Sequence, residues 1–421
     1  MSNHKTFKLD NNFDVSYVEC SKFKNFQMSF SFLLPMIKSK ASLNAVLPGV
    51  LEYSCQKYPS IILLNKELEN LYGTSLQSEV SKIGDYQVLT LSLNSLNEEF
   101  MNDISLGSLI DLITELIFYP DLDNRRFRSN AVEIEKNQII KYIKSEFNDK
   151  RLYTFHNCEK LLYDGQESNI FKYGEIDSIC EVSPSLLYDN YHDVLNSAYI
   201  KLIVIGNSLK TEVFDKFRNE IKKFKRSSEN MVFKNKVKDN SDVKIKNKKE
   251  KAEVEQCKFA MGFNTGVSGI NEESVAMILM NFVLGGTPSS KLFLNVREKL
   301  NLCYYCSSRF DKYKGSVFVE SGVENKNLEK AKEEILKQID SIKKGNLTND
   351  EIEDTKKFVC QMYENIEDSL DALDSWYLSQ TLNDALLTPH SMAEKLKSVR
   401  IEEVVEAAGK LKLDSIYTVY N

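Results

Sequence analysis

The chain has 421 residues, with 55 Lys and Arg against 61 Asp and Glu, a formal net charge of −6, 42% hydrophobic and 28% charged residues. This composition excludes wholesale disorder, the length calls for two or three domains that each bury a core, and the acidic balance gives no electrostatic reason to expect nucleic acid. The longest apolar runs, Ser108–Tyr119 and Tyr199–Gly206, fall short of the ~20 residues of a membrane-spanning helix, so no membrane partner is expected. The start, Met1-Ser-Asn-His-Lys5, lacks the apolar stretch of a secretory signal, and eight scattered cysteines suit a reducing cytoplasm better than a disulfide scaffold.

Along the chain, Phe26, Met28, Phe30 and Phe32 alternate with polar residues, the period of a half-buried strand. Gly84-Asp-Tyr86 opens a second alternating run through Leu89, Leu91 and Leu93. Leu109, Leu112, Ile113 and Leu116 stand at helical spacing, a further long helical stretch covers 128–147, and a β-rich run, Tyr199–Ile205, closes this half. Next comes a lysine-rich stretch over 222–251, from Lys222, Lys223, Lys225 and Arg226 to Lys246, Lys248, Lys249 and Lys251. Like charges in a block repel and stay extended, so it reads as a solvated tether rather than a nucleic-acid patch.

The second half repeats the order of the first. Phe259, Met261 and Phe263 alternate, and Gly315-Ser316 opens a run through Val317 and Val319. Leu328, Ala331, Ile335 and Ile339 follow at helical spacing. A helix over 350–365 begins with Thr348 and Glu351 at capping-box spacing, and Ile416–Tyr420 ends the half as a strand. The offset between the two Gly turns, 315 − 84 = 231, also lays Ser54-Cys55 on Gly285-Gly286 and Lys66-Glu67 on Arg297-Glu298. One constant offset across several elements indicates an internal duplication. The expected fold is α+β, two duplicated domains of antiparallel sheet backed by helices, with domains at 1–215 and 256–421 and the tether at 216–255.

The run Leu284-Gly-Gly-Thr-Pro-Ser-Ser-Lys-Leu-Phe-Leu-Asn-Val-Arg-Glu-Lys-Leu-Asn-Leu-Cys-Tyr304 resembles the second-domain signature of the M16 (insulinase, pitrilysin, mitochondrial processing peptidase) family. The resemblance extends over essentially the whole chain and implies two LuxS/MPP-like metallohydrolase domains. M16 peptidases bind zinc through His-x-x-Glu-His on the first helix of the first domain, with a Glu farther along. Two His one turn apart and a remote Glu leave one metal position open, and the helix Glu activates water. Here the matching five positions are Ala45-Val-Leu-Pro-Gly49; shifting onto Glu52 gives Gly49-Val-Leu-Glu-Tyr53, again without histidine. The family's Glu-x₆-Glu stretch falls on Glu135 to Tyr142, so Glu135 remains while the ligand position is Tyr142. With Ala45, Pro48, Gly49 and Tyr142 at the family's metal-site positions, the resemblance implies that this chain binds no zinc and has no catalytic residue of its own. Glu52 and Glu135 read as solvated helix carboxylates.

What the resemblance retains lies in the second half. The family's Arg and Tyr that hold the substrate backbone match Arg297 and Tyr304, and a guanidinium and a phenol can each donate to a peptide carbonyl. Chain length, the absent zinc motif and the run from Asn65 to Gly73 followed by Val80–Asp85 are most similar to a bacterial YmfF-like branch associated with 5-aminopentanol modification of elongation factor P. That branch resembles the non-catalytic half of a two-chain peptidase. The implied partners are an M16 homologue that keeps His-x-x-Glu-His and carries the zinc, and an extended peptide substrate. A purely structural scaffold subunit is the alternative. Cys303-Tyr-Tyr-Cys306 is a lone CxxC, without the second ligand pair of a zinc knuckle or the βαβ setting of a redox motif.

Overall fold

The structure is a computed structural model that describes residues 3–101, 106–207, 213–226, 229–238, 244–383 and 386–421. Met1 and Ser2 of the N-terminus, and 227–228 and 239–243 of the lysine-rich stretch, lie outside the described residues. The chain forms two compact units. The first comprises Met1–Ile143, Ile170–Lys234 and Ser369–Leu382, the second Lys144–Asn169, Asn235–Asp368 and Asn383–Asn421. No helix among the described residues is long and apolar enough to cross a membrane.

The first unit contains β1 (Asn3–Asp10), β2 (Phe13–Glu19), β3 (Asn25–Pro35), β4 (Ser75–Ile83), β5 (Tyr86–Leu96) and β6 (Tyr199–Gly206), ordered β1-β2-β6-β3-β5-β4. Neighbours are antiparallel except β2 and β6, which run parallel. The expected alternation in β3 is present: Phe26, Met28, Phe30 and Phe32 all enter the core. The ring of Phe30 sits at its centre, with those of Phe13, Phe32, Phe217 and Phe118 at 5.7, 5.2, 5.6 and 6.2 Å. The opposite face of β3 is buried as well, with Gln27, Ser29 and Ser31 out of solvent. Helix Leu370–Gln380 covers this polar face, and the Ser29 hydroxyl donates to the buried Asp374 carboxyl. Burial pushes Asp374 up to about 7. A carboxyl can be kept there because the hydroxyl supplies the partner a buried polar group needs.

The second unit contains β7 (Lys246–Lys251), β8 (Cys257–Asn264), β9 (Cys303–Asp311), β10 (Ser316–Val323) and β11 (Lys412–Tyr420), ordered β7-β11-β8-β10-β9. Only β7 and β11 run parallel. Apart from β1, this is the order of the first sheet with its parallel pair in the same place, so the duplication read from the constant offset is one of topology. Gly84 and Gly315 occupy equivalent turns with φ of 59° and 63°, a region that favours glycine. Both sheets are thus mixed by one parallel pair rather than wholly antiparallel.

One face of the second sheet is covered by helix Lys150–Leu162, whose Phe155 meets Phe318 edge-on at 5.0 Å and whose Cys158 thiol donates to the Ala260 carbonyl at 3.4 Å. Each unit therefore takes a helix from the other half of the sequence, and the division at 1–215 and 256–421 misplaces both.

The tether reading of the lysine-rich stretch is also corrected. Helix Val213–Ile221 buries Phe214, Phe217 and Ile221 in the first core. Arg226 donates to the carbonyls of Leu195, Asn12 and Ala198. Lys246–Lys251 is a strand, and Lys238 pairs with the buried Asp414. Backbone pairing and buried acceptors outweigh the mutual repulsion that favours an extended chain. Replacing Lys238 with Ala strands the Asp414 carboxylate, so the denaturation midpoint should fall by an amount equivalent to about 3 kcal/mol. Lys222→Ala, at an exposed position, should change stability by no more than about 0.5 kcal/mol. Equal, negligible effects of both substitutions would restore the tether.

Candidate functional site

In the first unit, helix Lys38–Tyr53 carries Ala45, Pro48 and Gly49, and helix Ser129–Asn148 carries Glu135, Gln138 and Tyr142. Together with Ser78, Glu79 and Val80 of β4, and with Ile139 and Tyr173, they line one cleft of about 250 Å³. The structure thus brings Ala45, Pro48, Gly49 and Tyr142 together with Glu135.

One wall of the cleft is an acid. A Cβ placed on Gly49 would lie 2.2 Å from the carboxyl carbon of Glu135, so the Glu135 head takes the space a larger residue at 49 would occupy. Burial, and then the nearby charge of Glu52, push Glu135 up to about 7. Glu52 is itself raised by burial, an effect opposed by hydrogen bonds from Ser78. The two carboxyls are therefore not the solvated helix charges expected from sequence; they are crowded and half-buried.

Tyr142 meets Tyr173 edge-on at 5.2 Å, and the Lys172 ammonium lies 5.4 and 4.8 Å from the centres of the two rings. Ala45, Pro48 and Gly49 offer no donor, and a neutral phenol is a poor substitute for a carboxylate, so these residues do not fit a zinc ion. Among the described residues no group of three or more His, Cys, Asp and Glu is arranged to hold a metal.

In the second unit, Arg297 lies in Leu292–Lys299, a π-helical stretch whose end is marked by Leu300 N–H donating to the Asn295 carbonyl at 3.3 Å. Such wide turns are rare and frequent at functional sites. The Arg297 guanidinium lies over the Phe293 ring at 4.6 Å, with its Nε 3.4 Å from Glu298. Tyr304 is on β9, the last strand of its sheet, and is 62% exposed. Cys303 faces Val323 of β10 and Tyr305 faces Gly322, so Tyr304 is an extra residue in a β-bulge. Bulges of this kind re-aim a side chain, and here the phenol projects from the sheet edge. Arg297 and Tyr304 stand in the same unit; the cleft of Ala45, Pro48, Gly49 and Tyr142 belongs to the other.

A profile of the Peptidase M16 inactive domain matches residues 181–359. Together with the mixed α+β fold and its duplicated sheets, this makes the chain similar to the inactive homologues of the M16 metallopeptidases. It is similar to the "Probable inactive metalloprotease YmfF" of Bacillus subtilis (strain 168), with 28% identity over 95% of this chain and 94% of that protein. It is also similar, at 25% identity over 72% of each chain, to the "Uncharacterized zinc protease YmxG" of the same organism. A crystal structure of a conserved protein from Enterococcus faecalis V583 shares the fold, with a TM-score of 0.90, 24% identity and coverage of 100% of this chain and 99% of that one.

The raised carboxyl has a signed consequence. Folded Glu135 binds its proton up to about pH 7, whereas an ordinary Glu loses it near 4.5. Between these values the native state holds more protons than the unfolded one, so its contribution to stability, full below pH 4.5, is lost as pH rises to about 7. Glu135→Gln should flatten this part of the stability–pH curve and raise stability at pH 8. Denaturation at pH 5 and pH 8 checks it, and an unchanged slope in the variant would assign the dependence elsewhere.

Proposed function

We propose that this chain is the non-catalytic subunit of a two-chain M16 peptidase, completing the substrate chamber of a partner that carries His-x-x-Glu-His and its zinc. The contrast between its two constellations supports this reading. Ala45, Pro48 and Gly49 offer no metal donor and Glu135 takes the space beside Gly49, whereas Arg297 and Tyr304 offer donors, the guanidinium half-exposed and the phenol exposed. The observation that carries the proposal is the placement of Tyr304 at a bulge on edge strand β9, with Arg297 on the π-helical turn just before that strand. An edge strand offers unpaired backbone groups, which suits a peptide added as a further strand and recognised mainly through its main chain. The phenol and the guanidinium then supply two donors for peptide carbonyls. The similarity to a relative named as a zinc protease fits the expectation that homologues with and without zinc occur side by side.

An obligate pair of this kind should bury well over ~2,000 Å² and co-purify at one to one. Each chain alone should be inactive and the mixture should cleave peptides. In that complex, Arg297→Ala or Tyr304→Phe should cut turnover at least ~10-fold, a floor below the typical cost of removing a donor that acts in the transition state. Lys299→Ala, a neighbouring exposed charge, serves as the control and should change little. Full turnover by both site variants in an intact complex would leave only a structural scaffold role.

A further inference from the structure

We propose that Cys303 and Cys306 form a reversible dithiol–disulfide site on the edge of the second sheet. The spacing alone argues against this. Residues three apart on a regular strand point to opposite faces and lie about 10 Å apart at ~3.3 Å per residue. The bulge removes both obstacles. Cys303 is paired with Val323 and Cys306 with Ser321, so along the partner strand the two cysteines are separated by two residues, not three. Two residues amount to about 6.8 Å and restore a common face, and disulfides usually span Cα separations of about 4.4–6.8 Å. Both cysteines are indeed buried while Tyr304 between them is exposed. Ser321 stands opposite Cys306 on β10, and its hydroxyl donates to the Tyr305 carbonyl at 2.8 Å.

The two sulfurs are not equivalent. Hydrogen bonding from Cys306, then from Ser321, and the positive charge of Arg297 hold Cys303 below the usual thiol range, against the opposing effect of burial. Cys306 is pushed well above that range by its bond to Cys303 and by burial. That is the division of labour of an attacking thiolate and a resolving thiol. The co-reactant is a low-molecular-weight disulfide. The Cys303 thiolate attacks one of its sulfurs, the S–S bond breaks, and the first small thiolate leaves and takes up the proton Cys303 gave up. Cys306 then loses its proton and attacks the Cys303 sulfur, expelling the second small thiol. Two protein thiols are oxidised to one disulfide, and one small disulfide is reduced to two thiols. The closed ring contains Tyr304, so oxidation fixes the bulge that displays this phenol.

The test is incubation of the full-length chain with glutathione disulfide, followed by alkylation and peptide mapping. A Cys303–Cys306 disulfide should form and be reversed by dithiothreitol, while the buried Cys55, Cys158 and Cys360 remain alkylatable after unfolding. Cys306→Ser should stop the reaction at a glutathione adduct on Cys303, and Arg297→Ala should slow the first step at least about threefold. If mapping of the wild-type chain finds Cys303 and Cys306 still as free thiols when the exposed Cys180 is already modified, the site does not exist. This readout needs neither a partner chain nor peptidase activity, so it stands or fails apart from the proposed subunit role.

Discussion

A sheet that is buried on both faces needs two covering layers, and a chain that folds strictly from one end to the other supplies only one from nearby sequence. Nine of the eleven residues of β3 are buried, and so are all eight of β10. In the first unit the second layer is helix Leu370–Gln380, and in the second it is helix Lys150–Leu162. The face beneath the first helix is polar, with Ser29 against Asp374; the second helix joins a hydrophobic cluster with Phe318, Tyr417 and Val419, and adds contacts of Cys158 with Ser415 and the Ala260 carbonyl. Such contacts add little net energy when satisfied but cost heavily when a partner is missing, so they fix which helix belongs where more than they add stability.

The same economy explains the degenerate cleft. Glycine at position 49 leaves room that the Glu135 carboxyl occupies, and two crowded acids then bind a proton near neutrality that isolated acids would release. A cleft in that state is acidic and short of metal donors.

In the second unit, two departures from regular structure sit within a few residues of each other: the π-helical turn of Leu292–Lys299 and the bulge at Tyr304. Both change the direction of a side chain without changing its identity. They set Arg297 on the Phe293 ring and Tyr304 outward, and the bulge also turns the two flanking cysteines inward together. Local backbone irregularity is thus the common cause of what is exposed and what is paired in this segment.

Much of this protein was legible in the sequence because it depends on local pattern. Alternation located β3, β5, β8 and β10, the constant offset revealed the duplication, and the register of the resemblance set Ala45, Pro48, Gly49 and Tyr142 together, which share one cleft. The structure added what depends on residues far apart in the chain. The lysine-rich stretch looked like a tether because its partners, Asp414 and the carbonyls of Asn12, Leu195 and Ala198, are invisible in a window of neighbouring residues. Neither covering helix stands out in its local pattern, and nothing local states which sheet it covers. Glu135 read as a solvated charge because its burial is created by another helix. Cys303 and Cys306 read as an isolated CxxC because a strand's own sequence does not declare its bulge, which is set by register against β10. Periodicity fixes which residues want to be buried; only the partner surface decides where each one goes.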